Sequence, residues 1–195
     1  MRNFLAILAG VIPLIGVVPY LLDSAKGKTK PNIVTWFTWT LINGINGAAA
    51  LGDGAVQTAI FSGFAFVATA SIVVVGLRHG LRKYTAFDIT CQIVALLGIP
   101  LWLMTDEPAL AVALILLVDF AGGLPTLRHA WRAPHEETLA TFALSAVGSG
   151  LLVASLTRFD FVALAMPLYI FMFDTTILTT LLTRRRRLAK EVRAT

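Results

Sequence analysis

The chain has 195 residues, 57% of them hydrophobic and only 14% charged, with a mean hydropathy of +0.79 and a net charge of +5. That balance excludes a soluble globular domain and predicts a membrane protein. The single cysteine, Cys91, excludes an intramolecular disulfide.

A spanning helix needs roughly 17–25 apolar residues. The first uncharged run, 4–22, has 19 and contains Pro13, Gly16 and Pro19. It follows Arg2 as a signal peptide would, but no A-x-A-like cleavage site comes after it, so it reads as a spanning helix. A loop bearing Lys26, Lys28 and Lys30 leads to Asn32, a predicted N-cap for the second run, 33–51. Lys28 and Lys30 suit headgroup anchoring or a gate. The third run, 55–77, is followed by Arg78, Arg82 and Lys83. The fourth, 89–104, reaches spanning length when Phe87 and Asp88 are included, and carries Pro100. Runs at 109–127, 138–156 and 161–183 complete the set, and the Arg184–Arg187 stretch opens a basic tail, 184–195. Thr138 or a residue just before it is placed to cap the sixth helix. The loop before it holds His129, His135 and Glu136, whose spacing fits no two-histidine metal pattern and reads as a solvated loop.

With seven spans, the loops at 23–32, 78–86 and 128–137 and the tail share one side, which collects 14 of the 16 Lys and Arg. The other side has Arg2 and Arg158, beside acidic turns at Asp53, Asp106, Glu107 and Asp160. The positive-inside rule then predicts an outside N-terminus and a cytoplasmic C-terminus, and a short Ala-, Leu- and Gly-rich chain suggests a bacterial inner, or plasma, membrane. The arginine run reads as an anchor at anionic headgroups, not as a nucleic-acid surface.

The chain also repeats itself. Runs of 19, 19 and 23 residues recur about 106 positions later as 19, 19 and 23. At that offset Gly16 falls on Gly122, Pro19 on Pro125, Lys26 on Arg132, Thr35 on Thr141, Trp36 on Phe142, Gly44 on Gly150 and Thr69 on Thr175. Each Gly-x-x-Pro lies near the basic-loop end of its helix. Pro19 cannot donate to the carbonyl of Ile15, nor Pro125 to that of Ala121, so each helix gains a weak point. Two weak points in matching places read as paired hinges, whereas the unmatched Pro13, Pro100 and Pro167 read as kinks. The expected fold is an all-α integral membrane protein with seven transmembrane helices in a 3-1-3 plan. Two parallel three-helix bundles, 4–77 and 109–183, are joined by a linker helix, 87–104.

The 3-1-3 plan, the outside N-terminus and a proline before each basic loop resemble the SWEET and PQ-loop superfamily (MtN3/saliva-like) over nearly the whole chain. The resemblance implies a carrier working by alternating access, with a solute held between the bundles. Relatives carry sugars, amino acids or vitamins, while the KDEL-receptor branch binds a peptide signal. This chain departs from the pattern. The family's proline is followed by Gln, where Tyr20 and Thr126 stand here, and Ala48 lies near the place of a sugar-site Trp. A non-transporting receptor or assembly protein on the same scaffold is the alternative.

The second helix is the most polar and aromatic. Trp36, Trp39, Asn43, Asn46 and Gly47 share one face by their i, i+3, i+4 spacing. Two indoles and two amides suit a wall for a small polar solute. The other reading makes the tryptophans aromatic-belt anchors and the asparagines interhelical glue. Asp119 and Asp174 are the only acids well inside the runs. Such a group is costly in lipid, so they are candidates for proton coupling or for recognising a cationic solute, with a structural, protonated acid as the alternative. No catalytic triad, phosphate loop, paired cysteines or cofactor motif is evident, so an enzyme is not expected. Two repeats in one chain complete a pathway without a dimer, and monomer and homo-oligomer both stay open.

Overall fold

A computed structural model describes residues 2–52, 56–81, 83–156 and 159–194. These residues form seven α-helices and one 3-10 turn, with no strand. In chain order the helices are α1 Arg2–Ala25, α2 Ile33–Gly52, α3 Val56–His79, α4 Ala86–Leu103, α5 Pro108–Arg132, α6 Leu139–Ser155 and α7 Phe161–Ala194. The 3-10 turn, Pro134–Glu136, lies between α5 and α6. Asp53 and Arg158, two of the charges expected on the outer side, lie outside the described residues.

Among the described residues, five helices are long and apolar enough to cross a membrane, and α6 is a shorter apolar helix. Their packing is the inverse of a water-soluble bundle. On α1 the residues Phe4, Ile7, Val11, Ile15, Val18 and Leu22 recur at three- and four-residue spacing, and all are 44–63% exposed. An apolar stripe facing outward is what lipid requires and water forbids. Small and polar groups occupy the interior instead, among them Ser24, Thr29, Thr35, Thr38, Asp119, Thr126 and Asp174. Such residues let helices approach closely and hydrogen-bond across their interfaces.

Most helix boundaries lie within three residues of the apolar runs, with two exceptions. α5 continues to Arg132 and α7 to Ala194, so the basic segment 184–194 is helical. Leu, Arg, Lys, Ala and Glu favour helix, and no Gly or Pro interrupts that stretch. At 1.5 Å per residue the 34 residues of α7 extend about 51 Å, well beyond a hydrocarbon core of about 30 Å. α1 and α5 run unbroken through Pro19 and Pro125.

The chain forms two compact units. The first holds residues 1–30 and 126–195, and the second 31–125. In the first, α6 packs against both α1 and α7. In the second, α2 packs against α3 and α4, and Ile42, Ala95, Ile99, Ile115, Val118 and Ala121 from α2, α4 and α5 form an apolar core. The starts of α2 and α4 are fixed together. Asn32 caps α2 by accepting from the Val34 amide at 3.1 Å, and its amide nitrogen lies 3.4 Å from Asp88. Asp88 closes a capping box with Thr85 at the start of α4.

Each unit contains a close glycine contact of its own. In the first, a Cβ on Gly16 would lie 3.1 Å from Leu144 Cβ and 3.4 Å from the Thr141 carbonyl oxygen. In the second, a Cβ on Gly122 would lie 2.5 Å from Thr38 Cγ2 and 2.8 Å from its Cβ. Gly16 and Gly122 are partners at the offset of 106, and so are Thr38 and Leu144. The first helix of each apolar triplet therefore meets the second helix of the other triplet at equivalent residues.

Candidate functional site

Two polar clusters stand out, one in each unit. In the second unit, the α2 face that carries the sequence candidates is largely buried. Trp36 is 4% exposed. Its ring meets Trp39 edge-on at 5.0 Å, and Trp39 packs against the apolar core. Asn43 donates to the Trp39 carbonyl at 2.8 Å, so one of its amide hydrogens is spent within the helix. Asn46 is half-buried. Thr38 donates its hydroxyl hydrogen to the Val34 carbonyl at 3.0 Å, and its Oγ1 lies 3.2 Å from the side-chain amide of Gln92 on α4.

Three buried donors beside this face, Thr35 Oγ1, Trp39 Nε1 and Gln92 Nε2, have no hydrogen-bond partner among the described residues. A buried donor left unmet costs about 1–3 kcal/mol, so a cluster of them is unusual. Asp119 is buried, three residues before Gly122 and so on the same stripe of α5 as the glycine that meets Thr38. Trp36, Trp39, Asn43, Asn46 and Asp119 thus belong to one compact unit. Asp174 belongs to the other, in the buried stripe of α7 with Phe173, Ile177 and Leu181. The two hinge candidates divide likewise, Pro19 in the first unit and Pro125 in the second.

The first unit contains a cluster that the sequence did not disclose. The segment read as a solvated loop is enclosed: Glu137 is 2% exposed and Thr138 6%. The α5–α6 loop is built against α1, the α1–α2 loop and α7, and it buries its carboxylate as a result. Tyr20 of α1, fully buried, donates to Glu137 Oε2 at 3.0 Å. Thr29 donates to Thr138 at 2.6 Å, and Thr138 donates onward to Asp23 at 3.1 Å. That commitment explains why Thr138 occupies the N-cap of α6 without capping it through its side chain, contrary to expectation. The Lys30 amide donates to the Glu136 carbonyl at 2.9 Å, and the Lys30 ammonium pairs with the Glu136 carboxylate. His129 Nε2 lies 3.4 Å from Glu136.

The arginine run is also divided. Arg185 donates to the carbonyls of Pro134 at 2.9 Å and Glu137 at 2.6 Å. Arg184 donates to the Trp131 carbonyl at 3.0 Å and lies over the Trp131 ring at 4.8 Å. Arg186 and Arg187 are exposed and fit the anchoring role.

Glu137 is the most perturbed acid outside the spans. Enclosure raises its pKa from 4.5 to about 8. The Tyr20 hydroxyl and the Arg185 charge pull it down, and neighbouring Glu136 pushes it up, but loss of hydration outweighs them. Arg185 spends its hydrogen bonds on backbone carbonyls and makes no ion pair with the carboxylate.

One sequence signal could have pointed to this cluster but was not used. Lys30 and Glu136 are partners at the offset of 106. Comparison with protein-family models, with curated proteins and with solved structures finds no match to this chain.

Proposed function

We propose that this protein is a membrane transporter for a small polar solute, working by alternating access. The observation that carries the reading is the pair of equivalent contacts, Gly16 with Leu144 and Gly122 with Thr38. A duplicated chain whose halves pack through equivalent, small-residue contacts can favour either contact in turn. That is the physical requirement for opening one end while the other closes. The 3-1-3 plan of a SWEET-like carrier accommodates both contacts. The basic-loop side is cytoplasmic in this reading.

The solute wall is the α2 face of Trp36, Trp39, Asn43 and Asn46 with Asp119; Asp174, in the other unit, is a separate candidate for the coupling acid. The unmet donors of Thr35, Trp39 and Gln92 favour a solute rich in oxygen acceptors, because binding would satisfy them. Purified protein in liposomes is expected to exchange labelled solute in counterflow. Asp119→Asn and Asp174→Asn should each lower exchange roughly tenfold, the loss that about 1.4 kcal/mol produces. Binding without exchange of label would replace the carrier with a receptor. Wild-type rates in both variants would remove the two acids from the site.

A further inference from the structure

We propose that Glu137 is a proton-binding site, and that its protonated form latches the segment Tyr20–Lys30 to the segment Glu136–Thr138. The proposal rests on the carrier reading only for the latch's purpose, which is to close the basic-loop end of the pathway.

Four contacts cross between those segments. Tyr20 donates to Glu137, Thr29 to Thr138, Thr138 to Asp23, and Lys30 binds Glu136 through both its amide and its ammonium. These contacts enclose the Glu137 carboxyl. One oxygen, Oε2, accepts from Tyr20, while Oε1 is buried with no partner among the described residues. The surroundings do not neutralise a carboxylate. From α1 comes the uncharged Tyr20 phenol. From α7 comes Arg185, whose bonds go to backbone oxygens. Lys30 of the α1–α2 loop and His129 of α5 are engaged on Glu136, and Asp23 adds a further negative charge through Thr138. An acid so placed holds its proton while the latch is shut and releases it when opening lets water in.

The sign follows from linkage. The shut latch has the higher proton affinity, about 8 against the ordinary 4.5, so closing takes up a proton between those values. Protonation therefore favours the shut form fully at pH below 4.5 and progressively less as pH rises. The advantage is lost above about 8. Within that window the shut-to-open ratio falls roughly tenfold per pH unit. Proton release then accompanies opening of this end, which is one half of a proton-coupled cycle.

Two measurements on the full chain in lipid test this. Infrared difference spectra should show a protonated-carboxyl C=O stretch at neutral pH, lost with a midpoint near pH 8 and missing in Glu137→Gln. Tyr20→Phe removes a donor to the ionised form, so it should move that midpoint upward. Spin labels on Lys28→Cys and His135→Cys, both exposed positions, in a Cys91→Ala background report the latch itself. The short-distance population should shrink as pH rises within the window from 4.5 to about 8, and Glu137→Gln should hold it at every pH.

An identical C=O band in wild type and Glu137→Gln would overturn the proposal. So would a distance transition centred outside the window from 4.5 to about 8, or one unaltered by Glu137→Gln. If Glu137→Gln does not fold, an unmoved midpoint in Tyr20→Phe overturns it and a raised one supports it. Neither readout uses a solute, so failed counterflow with a titrating latch sinks only the carrier reading. Working counterflow with a silent Glu137 sinks only the latch.

Discussion

Gly148→Ala is expected to destabilise the first unit by about 1–3 kcal/mol, the usual cost of overpacking a close contact. A Cβ at Gly148 would lie 2.7 Å from Pro13 Cδ and 2.9 Å from the Ala9 carbonyl oxygen, with the Pro13 Cγ in contact as well. Real Cβ atoms do not approach that closely, and neither a proline ring nor a backbone carbonyl can rotate away. The α1–α6 interface must therefore part. Thermal unfolding of the purified protein in detergent measures the loss. Pro13→Ala removes the ring but leaves the Ala9 carbonyl, so the double variant should regain part of the stability and not all of it. Gly63→Ala on α3, where nothing lies within 4 Å of the new Cβ, is the control and should be tolerated. A Gly148→Ala protein as stable as wild type would mean that α1 and α6 do not meet as described.

The result bears on the repeat. Gly148 is the partner of Ile42 at the offset of 106, and Pro13 is the partner of Asp119. The α1–α6 interface is thus closed by a proline ring against a glycine where the equivalent positions of α5 and α2 hold an acid and an isoleucine. The halves share the Gly16 and Gly122 contacts yet differ one turn away. Thr141 Oγ1 also donates to the Gly16 carbonyl at 2.8 Å, while its partner Thr35 is buried with its hydroxyl unmet. One interface is hydrogen-bonded and tightly wedged, and the other is less satisfied.

Apolar run length located the helices because a bilayer sets a strict minimum on it, and Asn32 disclosed its cap because capping is decided within three residues. The exceptions have physical causes. Hydropathy ends a span at the first charge, yet a helix continues as long as its residues favour it, so α7 outran the expected end at 183 by eleven residues. Trp36 was open to two readings because an indole near a helix end looks the same in sequence whether it faces headgroups or a neighbouring helix. The Glu137 cluster was hidden for another reason. Its partners are Tyr20, 117 positions before it, and Arg185, 48 after it, and no local pattern joins them. Composition described a short charged loop, whereas tertiary packing made it the most enclosed acid outside the spans.

Arg185→Ala is expected to cost about 2–4 kcal/mol, from two hydrogen bonds by a charged donor at roughly 1.5–3 kcal/mol each, reduced because the guanidinium is partly exposed. The fork spans the carbonyls of Pro134 and Glu137 and so pins both ends of the 3-10 turn to α7. Arg185→Lys should recover at most one of the bonds, since an ammonium cannot present two donors in a fixed plane. Arg186→Ala, on an exposed position of the same run, should change stability by less than about 0.5 kcal/mol. Unfolding midpoints of the three variants in detergent give the comparison. Equal, small effects at 185 and 186 would return the whole run to a headgroup anchor. The substitution also carries a sign that anchoring does not. The Arg185 charge lowers the Glu137 pKa, so its removal should raise the titration midpoint above about 8 and keep the acid protonated over a wider range. Loss of fold stability together with a stronger hold on the proton is the pattern expected only if Arg185 holds the loop through its backbone and acts on Glu137 through space.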